Sequence, residues 1–333
     1  MKRALIVGVD HYPDQPLLGC VADAEAMAGL LRRNADGSPN WTVSLVTSHD
    51  DGPLSVTRPR LREHLSRLFD NSRDFDLLFF FSGHGAATRW GTEFVTQDAV
   101  RDSLGVSMDD LLTLANNSPA RSVTLILDCC FSGAAGNPTS LQDSGTAEAF
   151  RLNRALLREG VTVLAASRPT EPSLETMGFG IFTRVLLEGL EGGATDQLGN
   201  VTALSLYAYA SPYFDAWHQQ PTFKSHVTRP TLLRNGPTWI NAALLRQLPE
   251  HFPTADSRVP LTPEHEGEGR PLPPGNPGTP EQRQFDYFGL LRNANLATSD
   301  DALPFYWVAL QGKEVYLTPL GKYFWRLAAQ GAL

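Results

Sequence analysis

Two stretches of the chain end in residues able to do chemistry. The apolar run Val123 to Leu127 leads into Asp128-Cys129-Cys130-Phe131-Ser132-Gly133, and the run Leu77 to Phe81 leads into Ser82-Gly83-His84-Gly85. One buried-strand pattern therefore presents a thiol and the other an imidazole. A cysteine attacks as its thiolate, and a free thiol titrates near ~8.5, so a nucleophilic cysteine needs an adjacent base. The pair points to acyl transfer at a cysteine, the chemistry of a thiol protease. Gly83 and Gly85 are expected to turn the backbone sharply at the histidine, as are Ser132 and Gly133 after the thiol. The backbone N–H groups of Gly85 and Cys130 are candidates to hold an oxyanion.

Each residue also has a plainer reading. A lone histidine is more often a cap or a core residue, but the flanking glycines and the second motif favour the base at His84. A free cysteine is most often a small buried hydrophobe, and Cys20 is read that way. Strand alternation sends Cys129 and Cys130 to opposite sides, one into the core and one out, and the residue types alone do not say which.

The elements that must position these groups alternate between short apolar runs and helix-period stretches. Strands are predicted at Ala4–Val9, Trp41–Thr47, Phe75–Phe81, Ser122–Asp128 and Val161–Ala166, with helices at Asp23–Arg32, Leu61–Leu68, Met108–Ala115 and Ile181–Leu190. Continuous apolar strands separated by helices predict an α/β fold with a mostly parallel sheet covered on both faces. Ligands bind such sheets at the carboxyl ends of the strands, where His84 and Cys130 fall. The stretch from Ser132 to Glu159 breaks the rhythm and carries Arg151, Arg154 and Arg158 on a polar helical pattern.

Composition narrows the partners. The chain has 333 residues, 28 Lys and Arg against 36 Asp and Glu, and a net charge of −8 with no basic block, which argues against nucleic acid or an anionic membrane as main partner. Three cysteines, two of them adjacent, make no disulfide framework, so a reducing cytoplasm is expected. The apolar run after Met1-Lys2-Arg3 stops at Asp10, too short for a signal peptide or a membrane span.

A catalytic domain is predicted over 1–235, in which a loop at 136–159 separates the halves 1–135 and 160–235. A Pro-rich linker follows at 236–281, then a small α+β module at 282–333. In that module a helix is expected over Gln282–Leu296, a strand at Phe305–Leu310 paired with Val315–Leu317, and a last helix capped by Thr318 with Pro319 at its first position. The order loosely resembles a winged-helix module. With few basic and many aromatic residues it is read as a surface for contact with a regulatory protein or for packing back on the catalytic domain, a degenerate extension being the plainer reading.

The segments Ser82–Gly85 and Asp128–Gly133 resemble the two signatures of the caspase-like cysteine proteases, closer to the bacterial and metacaspase-type branch than to animal caspases. The resemblance covers roughly Lys2 to Pro230, with Ile6–Asp10, Leu18–Ala24, Val163–Ser167, Gly180–Thr183, Leu187–Leu190, Val201–Ala203 and Gln220–Thr222 as weaker pieces. It implies a caspase-like three-layer sandwich, His84 as base, Cys130 as nucleophile and Cys129 in the core. It also implies that Asp23, Ser82 and Asp128 line a pocket for a basic substrate side chain. Protein substrates would then be cut after Arg, with Lys second, which two carboxylates in one pocket would favour. The plainer reading makes Asp23 the cap of the first helix and Asp128 a cap at its strand end. Relatives are often cut between large and small subunits, which makes Arg151, Arg154 and Arg158 candidates for self-cleavage; a solvated helix face explains them equally. No cofactor is expected. Metacaspases often bind calcium through acidic residues, but Glu93, Asp98, Asp102, Asp109 and Asp110 lack the family's Asp-rich run. The rival to a protease is an inactive adaptor of the same fold. Bacterial relatives often act in stress, defence or cell-death pathways.

Overall fold

The five apolar runs form strands because β-branched and aromatic side chains can be buried on both faces of one sheet. A computed structural model describes residues 1–13, 15–48, 54–88, 91–101, 103–130, 157–166, 180–215, 221–266 and 278–333. These divide into two units, Met1–Thr195 with Asn200–Pro237, and Asp196–Gly199 with Thr238–Leu333.

In the first unit β1 (Lys2–Gly8), β2 (Thr42–Thr47), β3 (Asp76–Thr88), β6 (Ser122–Cys130), β7 (Val161–Ala165) and β9 (Thr222–His226) lie in the order β2-β1-β3-β6-β7-β9. All neighbours are parallel except β7 and β9. Strands β4 (Gly91–Val100) and β5 (Ser103–Ser107) extend the sheet as an antiparallel addition to the end of β3. A small pair, β8 (Asn200–Thr202) with β10 (Leu232–Asn235), stands apart.

Alternation along β3 and β6 divides the core. Leu77, Phe79 and Phe81 join Val123, Leu125, Leu127 and Cys129 in one cluster, with Leu61, Leu65 and Leu68 of helix α2 (Arg58–Phe69) and Leu111 and Leu112 of α3 (Met108–Asn117). Leu78, Phe80 and Ile126 join a second cluster with Met27 and Leu31 of α1 (Cys20–Arg32), Phe182 and Leu186 of α4 (Ile181–Glu188), and Leu206 and Ala210 of α5 (Ala203–Asp215). Two helical layers thus cover one sheet, the predicted three-layer α/β sandwich. Helix α1 comes close enough to β1 that a Cβ at Gly8 would lie 2.4 Å from the Cys20 carbonyl oxygen.

Two local expectations change. The backbone does not turn at His84: β3 runs unbroken from Asp76 to Thr88, and Gly83 and Gly85 are strand residues. The hairpin β4–β5 was not predicted at all.

The second unit has its own core, with Phe252, Phe288, Leu291, Val308, Val315 and Leu317 fully buried or nearly so. Strands β11 (Arg258–Pro260), β12 (Ala297–Ser299) and β13 (Glu314–Leu317) form an antiparallel sheet in the order β11-β13-β12. The expected linker 236–281 is in part structural here. Ile240, Leu245 and Leu248 with Phe252 and Leu261 are buried, on α6 (Ala242–Leu245), α7 (Leu248–His251) and the turns beside them. Short helix α8 (Pro263–Glu266) follows β11, and residues 267–277 lie outside the described set. Helix α9 (Pro280–Asn293) opens with a capping box between Thr279 and Gln282. Phe305–Leu310, expected as a strand, is helix α10. The final helix α11 (Pro319–Ala329) begins as predicted, with Thr318 Oγ1 accepting from the Gly321 N–H at 3.0 Å.

Candidate active site

Because β3 and β6 are parallel neighbours in register, the two motifs arrive together. Ser82 pairs with Asp128, Gly83 with Cys129, and His84 with Cys130. The two motifs read from the sequence therefore meet on adjacent strands, at the carboxyl end of β6 and of the parallel part of β3. Immediately beyond, β3 changes partner, and Gly85 pairs with Phe94 of β4.

The face holding Ser82 and Asp128 looks toward α1 and α4. Ser82 and Asp128 are fully buried and Asp23 is 1% exposed. Ser82 Oγ donates to Asp23 Oδ2 at 3.2 Å, and the Gly180 N–H reaches the same oxygen at 3.3 Å. Asp128 Oδ2 accepts from Thr183 Oγ1 at 2.6 Å and from the Thr183 N–H at 3.3 Å. Both carboxylates thus engage the first turn of α4, where unpaired N–H groups and the helix dipole favour negative charge. Asp23 is not the cap of α1. That helix begins at Cys20 behind Gly19, and its first amides are taken by Asp10, from Cys20 N at 2.7 Å to Oδ1 and from Val21 N at 3.2 Å to Oδ2. Asp23 instead bonds to Ser82 of the sheet.

Cys129 is 1% exposed and lies in the apolar cluster, on the α2 and α3 side. Cys20 is also buried. Burial pushes its thiol well above the usual range, and the nearby Asp10, Asp128 and Asp23 add to this while a hydrogen bond with Ser82 opposes it. A thiol so disfavoured as thiolate is a packing residue.

His84 is half-buried. Its Nε2 lies 2.8 Å from the Gln15 carbonyl oxygen, which can only accept, so Nε2 carries the proton and Nδ1 is the basic nitrogen. Its backbone N–H donates to the Tyr12 hydroxyl at 2.9 Å, and the two rings stand 4.7 Å apart. Tyr12 and Gln15 were not singled out by the sequence, and Asp10 and Thr183 entered as ends of the weaker resembling pieces, with no role given to them. Each contributes through one loop carbonyl, one hydroxyl or one cap, and none of these has a periodic signal.

The acidic residues considered for calcium have other tasks. Glu93 accepts from the Leu104 and Gly105 N–H groups, Asp98 from Arg58 N–H and Thr96 Oγ1, and Asp110 pairs with Arg62 at 3.0 Å. Asp109 lies in the first turn of α3, and Asp102 lies outside the described residues. Among the described residues no group of three or more His, Cys, Asp or Glu could hold a metal ion. No helix among them is long and apolar enough to cross a membrane.

Of the three arginines considered for self-cleavage, Arg151 and Arg154 lie outside the described residues. Arg158 is held: its guanidinium donates to the carbonyls of Ala115 at 3.0 Å, Ala120 at 2.9 Å and Glu159 at 2.6 Å.

The caspase-domain family profile matches residues 1–232. Among solved structures, a protein of Geobacter sulfurreducens is similar at 19% identity, covering 71% of this chain and 97% of its own, with a TM-score of 0.46. Caspase-1 of Spodoptera frugiperda is similar at 12% identity, covering 71% of this chain and 90% of its own, with a TM-score of 0.47. No curated protein matches the chain.

Proposed function

As this chain belongs to the caspase-domain family, we propose that it is a cysteine endopeptidase cleaving after arginine and, less readily, after lysine. In this reading Cys130 attacks the scissile carbonyl as a thiolate while His84 Nδ1 takes the thiol proton. The tetrahedral oxyanion is held by the backbone N–H groups of Gly85 and Cys130. As it collapses, His84 returns the proton to the leaving amine and a thioester remains. Water then attacks the thioester, giving its proton to His84, and the acid and free thiol are released.

The observation that carries the reading is the register pair His84 and Cys130, the last pair of the parallel ladder between β3 and β6. Specificity for a basic side chain rests on Asp23 and Asp128, two buried carboxylates on the same side of the sheet with Ser82 between strand and helix. A guanidinium can use both oxygens of a carboxylate, whereas an ammonium acts as a point charge, so Arg leads Lys. Self-cleavage belongs to the same reading. It favours Arg151 or Arg154 over Arg158, because the Arg158 guanidinium would first have to leave three carbonyls. The second unit, including 282–333, is read as the surface through which a partner regulates the enzyme, in bacterial stress, defence or cell-death signalling.

The test is hydrolysis of fluorogenic peptides ending in Arg, Lys or Asp, by wild type and Cys130→Ala. Turnover in the order Arg, Lys, then none for Asp, all lost in Cys130→Ala, is expected. No turnover of any peptide would turn the reading to an adaptor, and turnover surviving in Cys130→Ala would remove Cys130 from its role.

A further inference from the structure

The loop between β1 and α1 grips His84 at more points than the proposed chemistry uses. Strand β1 pairs with β3 as far as Gly8 and Ser82, and the Val9 N–H still donates to the Ser82 carbonyl at 2.9 Å. Along a strand the carbonyl of one residue and the N–H two residues on face the same side. The His84 amide therefore faces the side that β1 has just left, where a backbone donor still needs a partner. The Tyr12 hydroxyl takes that place. It accepts from the His84 N–H at 2.9 Å and donates to the Val95 carbonyl of β4 at 3.3 Å. Its ring meets the imidazole at a 4.7 Å centroid distance and a 50° tilt.

We propose that Tyr12 is a positioning residue for His84, fixing its backbone through the hydroxyl and its ring by contact, so that the basic nitrogen is presented to Cys130.

Three further features fit this role. Tyr12 is 8% exposed, and burial holds its phenol well above the usual range, opposed by the hydrogen bond from His84. It thus stays a hydroxyl that donates and accepts and does not exchange protons with the imidazole. The loop that carries it is itself fixed: Asp10 caps α1, the His11 N–H donates to Ser48 Oγ at 3.2 Å, and Gln97 Nε2 donates to the His11 carbonyl at 2.8 Å. Finally, a Cβ at position 83 would lie 2.6 Å from the Tyr12 hydroxyl. The glycine before His84 is there to admit that hydroxyl, a different role from the sharp turn expected of it.

The proposal rests on His84 acting as the base, so the test has one arm that needs no turnover. In Tyr12→Phe the ring remains and the hydroxyl is lost. With ¹⁵N-histidine labelling, and His84→Ala to assign the signal, wild type is expected to hold His84 as the Nε2–H tautomer. Tyr12→Phe is expected to move it toward a mixture of tautomers. Against an Arg-ending peptide, kcat is expected to fall about tenfold, the scale of a small misplacement of a catalytic group, with KM within about twofold. Should Tyr12→Phe fold poorly, para-aminophenylalanine at position 12 still donates toward Val95 but accepts weakly, and isolates the bond from His84. An unchanged tautomer in a folded variant would overturn the proposal, as would a loss of activity that affects KM alone or only follows the melting temperature. If wild type turns over no peptide yet the tautomer responds, the peptidase reading fails and the hold of Tyr12 on His84 stands.

Discussion

At the scale of single residues, Cys129 separates packing from chemistry. It sits 1% exposed in the cluster that contains Phe81 and Leu127, so exchanging its sulfur for a hydroxyl places a strongly polar group among apolar ones. Cys129→Ser is expected to destabilise the fold by about 1–3 kcal/mol, read from urea unfolding. Cys130→Ala is expected to leave stability nearly unchanged and to remove turnover. The opposite pattern, turnover lost in Cys129→Ser at unchanged stability, would reverse the two assignments. By residue type and alternation alone the adjacent thiols were equivalent, and only the family resemblance assigned Cys129 to the core; the parity of β6 puts Cys129 in the apolar cluster and Asp128 on the opposite face. Asp23 was equally open, since a cap and a buried pocket residue use the same side chain. The structure gives the cap to Asp10, ten residues upstream of Cys20 and recognisable only once the loop closes on α1. Tyr12 was illegible for a similar reason: one aromatic in an irregular loop carries no period, and its meaning comes from where β1 stops.

At the scale of elements, the two motif-bearing strands are pinned at their other ends. Asp76 opens β3, and Arg121 just precedes β6. The Asp76 carboxylate accepts from Arg121 Nε at 2.8 Å, from Arg121 Nη2, and from Ser122 Oγ at 2.8 Å. Burial alone pushes the Asp76 carboxyl up, but the Arg121 and Ser122 hydrogen bonds together with the Arg121 and Lys2 charges outweigh it and leave its pKa below the usual value. A depressed folded-state pKa means stability that is present above the unfolded value of about 4 and lost as pH falls through the folded value. Arg121 is 61% exposed, which discounts the pair. Asp76→Asn is therefore expected to cost about 1–2 kcal/mol at neutral pH, and less at about pH 3 and below. Urea melts of both proteins across that range check the sign; a difference that grows in acid would contradict it. The core strands were legible because their apolar runs are continuous. The β4–β5 hairpin was not, because Gly91–Val100 mixes polar with apolar residues and its partner, the end of β3, is written in glycines that suggest a turn. Phe305–Leu310 failed in the other direction: six residues rich in aromatics fit either period, and packing of Phe305, Val308 and Ala309 into the second core decided for a helix.

At the scale of the whole molecule, each of the two units has its own apolar interior, on both faces of the sheet in the first and in one cluster in the second, and the boundary between the units is not a simple cut in the sequence. A Pro-rich composition suggested one linker over 236–281, yet Phe252 and Leu261 within it are fully buried, and Asp196–Gly199 joins the second unit from within the span of the first. Leu198 packs against the second core, and the Trp239 N–H donates to the Gln197 carbonyl at 3.2 Å. A proline-rich composition reports the lack of regular hydrogen bonding, not the lack of burial, which is why the linker was drawn too long. With separate interiors, each unit should unfold as its own cooperative block. Leu125→Ala, in β6, and Phe252→Ala, in the second core, each open a cavity worth about 2–5 kcal/mol to the unit concerned. Differential scanning calorimetry of the full chain is expected to show two transitions, with Leu125→Ala lowering one and Phe252→Ala the other. Peptide turnover followed on the same heating ramp should disappear with the transition that Leu125→Ala moves, because His84, Cys130 and the buried aspartates all belong to the first unit. A single transition lowered by both substitutions would mean that the two units fold as one.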